Sequence, residues 1–395
     1  MAKSKTASKK KKTKTSDVDW KDVARLMLTS RAMDEKEETE LVPNKDVLYQ
    51  FSARGHELGQ ILLGKLLTNK HDAASAYYRS RPLLLTLGLS EEDAMAAPMA
   101  KSGGYSNGRD IGVVCNKPDA DSTKVLPMAG DVGSQYTPAI GWAQGIEYRK
   151  NVLEEKEYDN AISVILGGDG SVATNGFWSA LTIATTQNLP VLFYIEDNGY
   201  GISVTSEYQT PGGVISNNLQ SFNNLKIYDG DGTDPEEAAE LLEESVDYVR
   251  DRKGPALIRL TVPRLNGHSY QDNQAYKDDE LVKEEKANDP LDKLKAFMVP
   301  DHITEKTWKN WEKKAGETIE EAAEAALNRP EPDASETEKY VFAEDEVQTI
   351  GGLLVEGHEF PESTEEATPE KQRINIVEAI RRTLKHELET NEKVM

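Results

Sequence analysis

Between residues 161 and 200, apolar and polar stretches follow one another as strand, turn, helix, strand and second turn. The apolar run 161–166 ends at Gly167-Gly168-Asp169-Gly170. Residues 177 to about 186 read as a helix, and the apolar run 190–195 closes on Asp197-Asn198-Gly199-Tyr200. In such a βαβ unit the two strands lie parallel. Asp169 and Asn198 are therefore expected at one carboxyl edge of the sheet, where open α/β sheets bind ligands. Elsewhere, residues 17 to about 69 read as largely helical, with apolar residues at helical spacing in 23–27 and 58–67. Further helices are predicted over 90 to about 99 with Ser90 as N-cap, 137–149, 235–251 and much of 285–330, and a third core strand over 255–261. The fold class is α/β, a mostly parallel sheet flanked by helices.

The pattern changes at both ends. Residues 1–16 carry seven lysines within the first 14 positions and almost no apolar residue, which predicts a solvated basic tail rather than a signal peptide. The main domain is read as 17–330. Acidic, proline-containing sequence marks 331–372 as a linker. Residues 373–395 then form a helix with Val377, Ile380, Leu384 and Leu388 on one face.

Two chemistries compete for the turn after the first strand. Gly168-Asp169-Gly170-Ser171-Val172-Ala173 fits a loose G-x-G-x-x-A dinucleotide fingerprint, with Glu196 or Asp197 as the ribose acid, and so an NAD-dependent oxidoreductase. The acid between the glycines argues against that. A carboxylate about 4 Å from a phosphate charge is repelled by about 4 kcal/mol at an effective dielectric near 20. A divalent cation between them reverses the sign, and Mg²⁺ shares hard oxygen ligands with substrate phosphates. Asp169, Asn198 and the backbone carbonyl of Tyr200 offer three such oxygens. Gly168 and Gly170 let the main chain approach a diphosphate, and amides from Ser171 onward can donate to it.

The 395 residues carry a formal charge of −22, from 69 acids and 47 bases, which favours solubility and does not by itself indicate a substrate. Cys115 is the single cysteine, so no intrachain disulfide forms, as expected in a reducing compartment. No stretch approaches the length and apolarity of a membrane span. The expectation is a cytoplasmic protein that engages neither membrane nor nucleic acid.

The GDG turn, the helix and strand after it, and the NGY turn together resemble the thiamin diphosphate motif. The detailed similarity is to the alpha subunit of the decarboxylating component of 2-oxoacid dehydrogenase complexes, of branched-chain or pyruvate type. Four further segments carry it in order: Gly55-His56-Glu57 with Gly59, Tyr77-Tyr78-Arg79, Gly130-Asp131-Val132-Gly133-Ser134-Gln135, and Arg264-Leu265-Asn266-Gly267-His268-Ser269 with Tyr276 beyond. The family usually has two asparagines before the glycine of the second turn; here the first is Asp197.

The resemblance implies thiamin diphosphate and Mg²⁺ as cofactors, with Asp169, Asn198 and the Tyr200 carbonyl as metal ligands. It further implies Tyr78 and Arg79 at the diphosphate, although Tyr77 and Arg81 leave that register open by one or two residues. Gly130 and Val132 would contact the aminopyrimidine, and His268 would be the catalytic histidine. Ser134 and Gln135 match a monovalent-cation position, and Phe51, Ser52 and His56 a substrate entrance. The implied reaction is oxidative decarboxylation of a 2-oxoacid, with acyl transfer to a lipoyl acyltransferase. The leucines at 83–85 and the Gly55-His56-Glu57 turn favour a branched-chain substrate such as 3-methyl-2-oxobutanoate, with pyruvate the alternative. An activating glutamate would come from a beta subunit in a heterotetramer. Residues 374–394 resemble the opening helix of that beta subunit, which suggests an alpha–beta fusion origin or a non-catalytic fragment.

Overall fold

A computed structural model describes residues 18–109, 116–128, 130–336, 338–339 and 374–391. The expected tail 1–16, most of the 331–372 segment and Cys115 lie outside them. The chain divides into two units, Met1–Pro332 and Asp333–Met395.

Among the described residues of the first unit eight strands form: β1 (Ala73–Ser75), β2 (Lys124–Val125), β3 (Ser163–Gly168), β4 (Val191–Asp197), β5 (Tyr200–Gly201), β6 (Val204–Thr205), β7 (Lys226–Asp231) and β8 (Ala256–Thr261). Six make one parallel sheet in the order β2-β1-β3-β4-β8-β7, and β5 and β6 form a small antiparallel hairpin. The two apolar runs of the central βαβ unit are β3 and β4, and each continues two residues past its predicted end. The third predicted strand is β8. The register pairs Gly168 with Glu196 and so brings Asp169 and Asn198 to the same edge.

The continuous apolar character of β3 and β4 follows from helices on both faces, which leave no polar side for the pleat to show. Val164 and Leu166 of β3, Leu192 and Tyr194 of β4, and Ile258 and Leu260 of β8 pack into one core. That core includes buried residues of helices Trp20–Lys36, Glu57–Leu66, Pro235–Arg250 and Glu305–Leu327. The alternate residues Ile165, Phe193, Ile195 and Leu257 pack on the other face, against helices Tyr136–Asn151 and Asn175–Gln187.

Local chemistry sets the helix ends. The Ser90 hydroxyl accepts from the Asp93 amide at 3.1 Å, as its predicted N-cap role requires. Thr174 caps the helix of the βαβ unit, which starts at Asn175; a short 3₁₀ turn, Ser171–Ala173, lies between it and Gly170. The stretch expected to be helical from 17 to 69 is broken. Its first part ends in a π-turn, Glu37–Leu41, and a short Val42–Asn44 helix whose C-cap, Lys45, is left-handed at φ 67°. A loop over 45–56 follows, and it carries Tyr49 and Phe51 to the carboxyl edge of the sheet.

In the second unit, Ile376–Thr390 is helical, with the Asn375 side chain accepting from the Glu378 amide at 2.8 Å. Ile376, Val377, Ile380, Leu384 and Leu388 are exposed. No helix among the described residues is long and apolar enough to cross a membrane.

Candidate active site

A cavity of about 480 Å³ opens at the carboxyl edge of β3 and β4. It is lined by residues of each turn or loop motif that carries the resemblance except the turn at Gly55. Tyr78, Arg79, Gly130, Val132, Gly168, Asp169, Gly170, Ser171, Asn198, Tyr200, Arg264 and His268 all face it.

Asp169 is 4% exposed and forms no ion pair among the described residues. Its carboxylate accepts from the Ser206 hydroxyl at 2.8 Å and from the Asn198 backbone. Burial, and next the charge of Asp197, push its pKa up to about 6. The Asn198 side chain spans two neighbours: Oδ1 accepts from the Tyr200 amide at 3.2 Å, and Nδ2 lies 3.1 Å from His56 Nε2. Burial, and then Arg79, hold the His56 pKa well below its ordinary value, so the neutral ring accepts from the amide. His56 is 1% exposed and lies beneath Asn198, not at a substrate entrance.

The negative charge added by Asp197 has a partner. Arg259 of β8 donates from Nε to Asp197 Oδ2 at 2.6 Å and from Nη1 to Asp229 Oδ1 at 3.0 Å. Glu196 is fully buried among Tyr77, Tyr194 and Gln60, and burial pushes its pKa up to about 7. Neither acid of the dinucleotide reading is therefore free to hold a ribose.

The uncertain register around the arginine resolves into two different jobs. Arg81 is buried against Asp34 and Glu37, with the Glu37 contact at 2.5 Å. Arg79 is 3% exposed and faces the cavity; among the described residues its guanidinium donates to the main-chain oxygens of Ser52 and, at 3.1 Å, His268, and lies 5.5 Å from the Tyr78 ring centroid. Arg264 likewise meets the Ile202 carbonyl at 2.8 Å and the Tyr276 hydroxyl, and its Nε has no partner. Among the described residues the cavity thus holds two guanidinium groups that pair with no carboxylate, and two carboxylates that pair with no cation, buried Asp169 and exposed Asp131. Buried charges are costly until paired, so this set fits a metal together with an anion. Among the described residues no three carboxylates, imidazoles or thiols converge on one point, which suits an ion that takes part of its shell from a ligand's oxygens.

The His268 ring packs on Phe51 and Tyr78, with centroids 5.4 and 5.7 Å away. Burial, then Arg79 and Arg264, lower its pKa to about 4, so it is a neutral donor or acceptor near pH 7. Its loop is closed by Asp272, which accepts from the His268 amide at 2.7 Å and from the Tyr276 hydroxyl at 2.6 Å. A Cβ on Gly267 would overlap the Asp272 backbone, which accounts for the glycine before the histidine.

Gln135 faces the cavity but is committed internally, donating to the Leu166 carbonyl at 3.0 Å and accepting from the Gly133 amide. The Ser171 hydroxyl is bound to the Gly168 main chain and to Tyr136. Ser52 is buried and bonds Asp34, so only Phe51 of the expected entrance residues lines the cavity. Leu83, Leu84 and Leu85 are core residues and form no wall of it. Sequence reading missed Ser206, Asp272, Gln60 and Arg259. Gln60 and Asp272 lie within or beside motif segments and Ser206 outside them, and none shows a pattern of its own; the charge in β8, an otherwise apolar strand, was a usable signal for Arg259.

These features coincide with a family assignment. Residues 24–335, more than half of the chain, match the dehydrogenase E1 component family, and the chain belongs to it. Within that family it is alpha-subunit-like. It is 28% identical over 288 residues to a chloroplastic pyruvate dehydrogenase E1 component subunit alpha-3 of Arabidopsis thaliana, across 73% of this chain and 66% of that protein. It is similar at 28% identity to the alpha subunit of an acetoin:2,6-dichlorophenolindophenol oxidoreductase of Bacillus subtilis, across 69% of this chain and 79% of that one. A 2-oxoisovalerate dehydrogenase subunit alpha of the same bacterium is 27% identical, across 70% and 81%.

Proposed function

We propose that this chain is the alpha-type subunit of a 2-oxoacid dehydrogenase and holds Mg²⁺ and thiamin diphosphate in the cavity above β3 and β4. The family depends on thiamin diphosphate. The observation that carries the reading is the unpaired charge set: buried Asp169, with no ion pair among the described residues, lines one cavity with Arg79 and Arg264, which pair with no carboxylate there. On this reading Asp169, the Asn198 side chain and the Tyr200 carbonyl hold the metal. Arg79 and Tyr78 hold the diphosphate, with main-chain amides beyond Gly168 and Gly170, Ser171 among them. Gly130 and Val132 contact the ring system.

The cofactor supplies an electron sink for loss of CO₂ from a 2-oxoacid. The chain's own part is to bind, orient and exclude water. His56 fixes the Asn198 amide from beneath. His268, neutral at pH 7, can give or take a hydrogen bond at the reacting end, its ring held against Phe51 and Tyr78. A beta subunit in a heterotetramer would complete the site, and a lipoyl acyltransferase would accept the acyl group. The 376–390 helix would be the start of a beta-like segment from a fused ancestor, joined through an acidic linker, in a cytoplasmic enzyme. Phe51 and Ile202, apolar lining residues not given to the cofactor, support a branched-chain 2-oxoacid, with pyruvate as the second substrate to test; the leucines at 83–85 lend no support.

Calorimetric titration of thiamin diphosphate into the full chain, with and without Mg²⁺, tests the reading. Binding that requires Mg²⁺ and is lost in Asp169→Ala supports it. Binding of NAD in its place would overturn it.

A further inference from the structure

Glu196 is a buried carboxylate for which ligand binding, as proposed above, has no direct use. It lies on β4, two residues before Asn198, and is fully buried with no ion pair among the described residues. Its oxygens accept from the Tyr77 hydroxyl at 2.7 Å, from the Tyr194 hydroxyl at 3.0 Å and from Gln60 Nε2 at 3.0 and 3.1 Å. Gln60 Nε2 also lies 3.2 Å from the Arg79 carbonyl. The donors come from three separate parts of the chain: the Glu57–Leu66 helix, the segment running into Arg79, and β4 itself.

The arrangement also explains a glycine. A Cβ on Gly59 would overlap the Tyr194 hydroxyl, so a side chain there would push that donor off Glu196. Gln60 and Tyr77 thus meet on one carboxylate, with Gly59 leaving room for the Tyr194 donor and the Arg79 carbonyl held by Gln60. A buried carboxyl group is tolerated only when its oxygens are hydrogen-bonded, and each donor is then held in one geometry. Two of those donors hold the backbone that presents Tyr78 and Arg79. The carboxylate itself rides on the strand that presents Asn198.

We infer that Glu196 is a positioning residue: through Tyr77 and Gln60 it locks the anion-binding Tyr78-Arg79 segment to the strand that ends in Asn198, setting the distance between the two halves of the cofactor site. This inference rests on the function proposed above. Tyr77 and Tyr194 supply a matched control. Both donate to Glu196, but Tyr77 leads into the Arg79 segment, whereas Tyr194 sits on the strand that carries Glu196 and tethers nothing further.

The experiment compares the full-length wild type with Tyr77→Phe, Tyr194→Phe and Gln60→Met. Calorimetry measures the Kd of Mg²⁺–thiamin diphosphate and of Mg²⁺–inorganic diphosphate, and thermal melting is recorded alongside. The expected result is a Kd raised about tenfold by Tyr77→Phe for both ligands, the scale of one buried hydrogen bond to a charged acceptor. Gln60→Met is expected to shift it in the same direction, and Tyr194→Phe to leave both Kd values within about twofold while losing a comparable amount of thermal stability. Equal effects of Tyr77→Phe and Tyr194→Phe on Kd would overturn the inference while leaving the cofactor reading intact. A wild-type chain that binds NAD in place of either ligand overturns the cofactor reading, and the inference with it.

Discussion

At the scale of single residues, two arginines two positions apart do unlike work. Arg81 neutralises Asp34 and Glu37 in the interior, so Arg81→Ala strands two buried carboxylates; a loss of about 3–5 kcal/mol in denaturant unfolding is expected. Arg79 has no carboxylate partner among the described residues, so Arg79→Lys should cost far less stability and instead weaken diphosphate binding, since an ammonium cannot reproduce the planar fork. Measured side by side, the two variants should separate cleanly into a folding defect and a binding defect. His268 gives a third expectation. Its pKa near 4, set by burial and then by Arg79 and Arg264, keeps it neutral as pH falls through its ordinary value near 6.5. The unfolded chain takes up that proton first, so this residue's contribution to stability is complete above about pH 6.5 and declines as pH falls towards 4. Imidazole NMR should show a midpoint near 4 in the ligand-free chain and a higher one once inorganic diphosphate offsets the two guanidinium charges.

At the scale of elements, the central βαβ unit was legible because β3 and β4 are buried on both faces and read as unbroken apolar runs. The turn chemistry that closes them, Asp169 and Asn198, could be placed from strand order alone. Less could be read where an element's role depends on what it touches. The loop over 45–56 replaces predicted helix because the chain turns left-handed at Lys45, and nothing in the apolar spacing signals it. The leucines at 83–85 were available equally to a cavity wall or to the core, and burial assigns them to the core. β7, with half-buried and exposed positions, lacks the apolar run that revealed its neighbour β8. The Asn175–Gln187 helix carries a direct test of local control. Thr174 accepts from the Phe177 amide at 3.4 Å and donates to the Ser171 carbonyl at 2.8 Å, joining the 3₁₀ turn to the helix. Thr174→Ala should lower the unfolding free energy by about 1 kcal/mol, read as a shifted urea midpoint with an unchanged slope.

At the scale of the whole molecule, the charge of −22 is spread over a chain whose motif residues include cationic side chains. Self-repulsion of that size opposes compactness and is screened by salt, whereas the exposed ion pairs that salt also weakens are individually worth little. Thermal stability of the full chain is therefore expected to rise between low salt and about 0.5 M NaCl, where the Debye length falls below about 5 Å. A flat or falling melting temperature in that series would show that paired charges outweigh the repulsion.

The segregation of charge in the cavity reaches further than the affinity of either ligand. On the proposed function, a bare diphosphate arriving first meets the Asp169 carboxylate, and a bare cation arriving first meets the fields of Arg79 and Arg264. Each is therefore penalised alone, and each removes the other's penalty. Thermodynamic linkage makes that assistance reciprocal and equal in free energy. Occupancy should then climb steeply with the product of the two concentrations, so the subunit would register the pair rather than sum its parts.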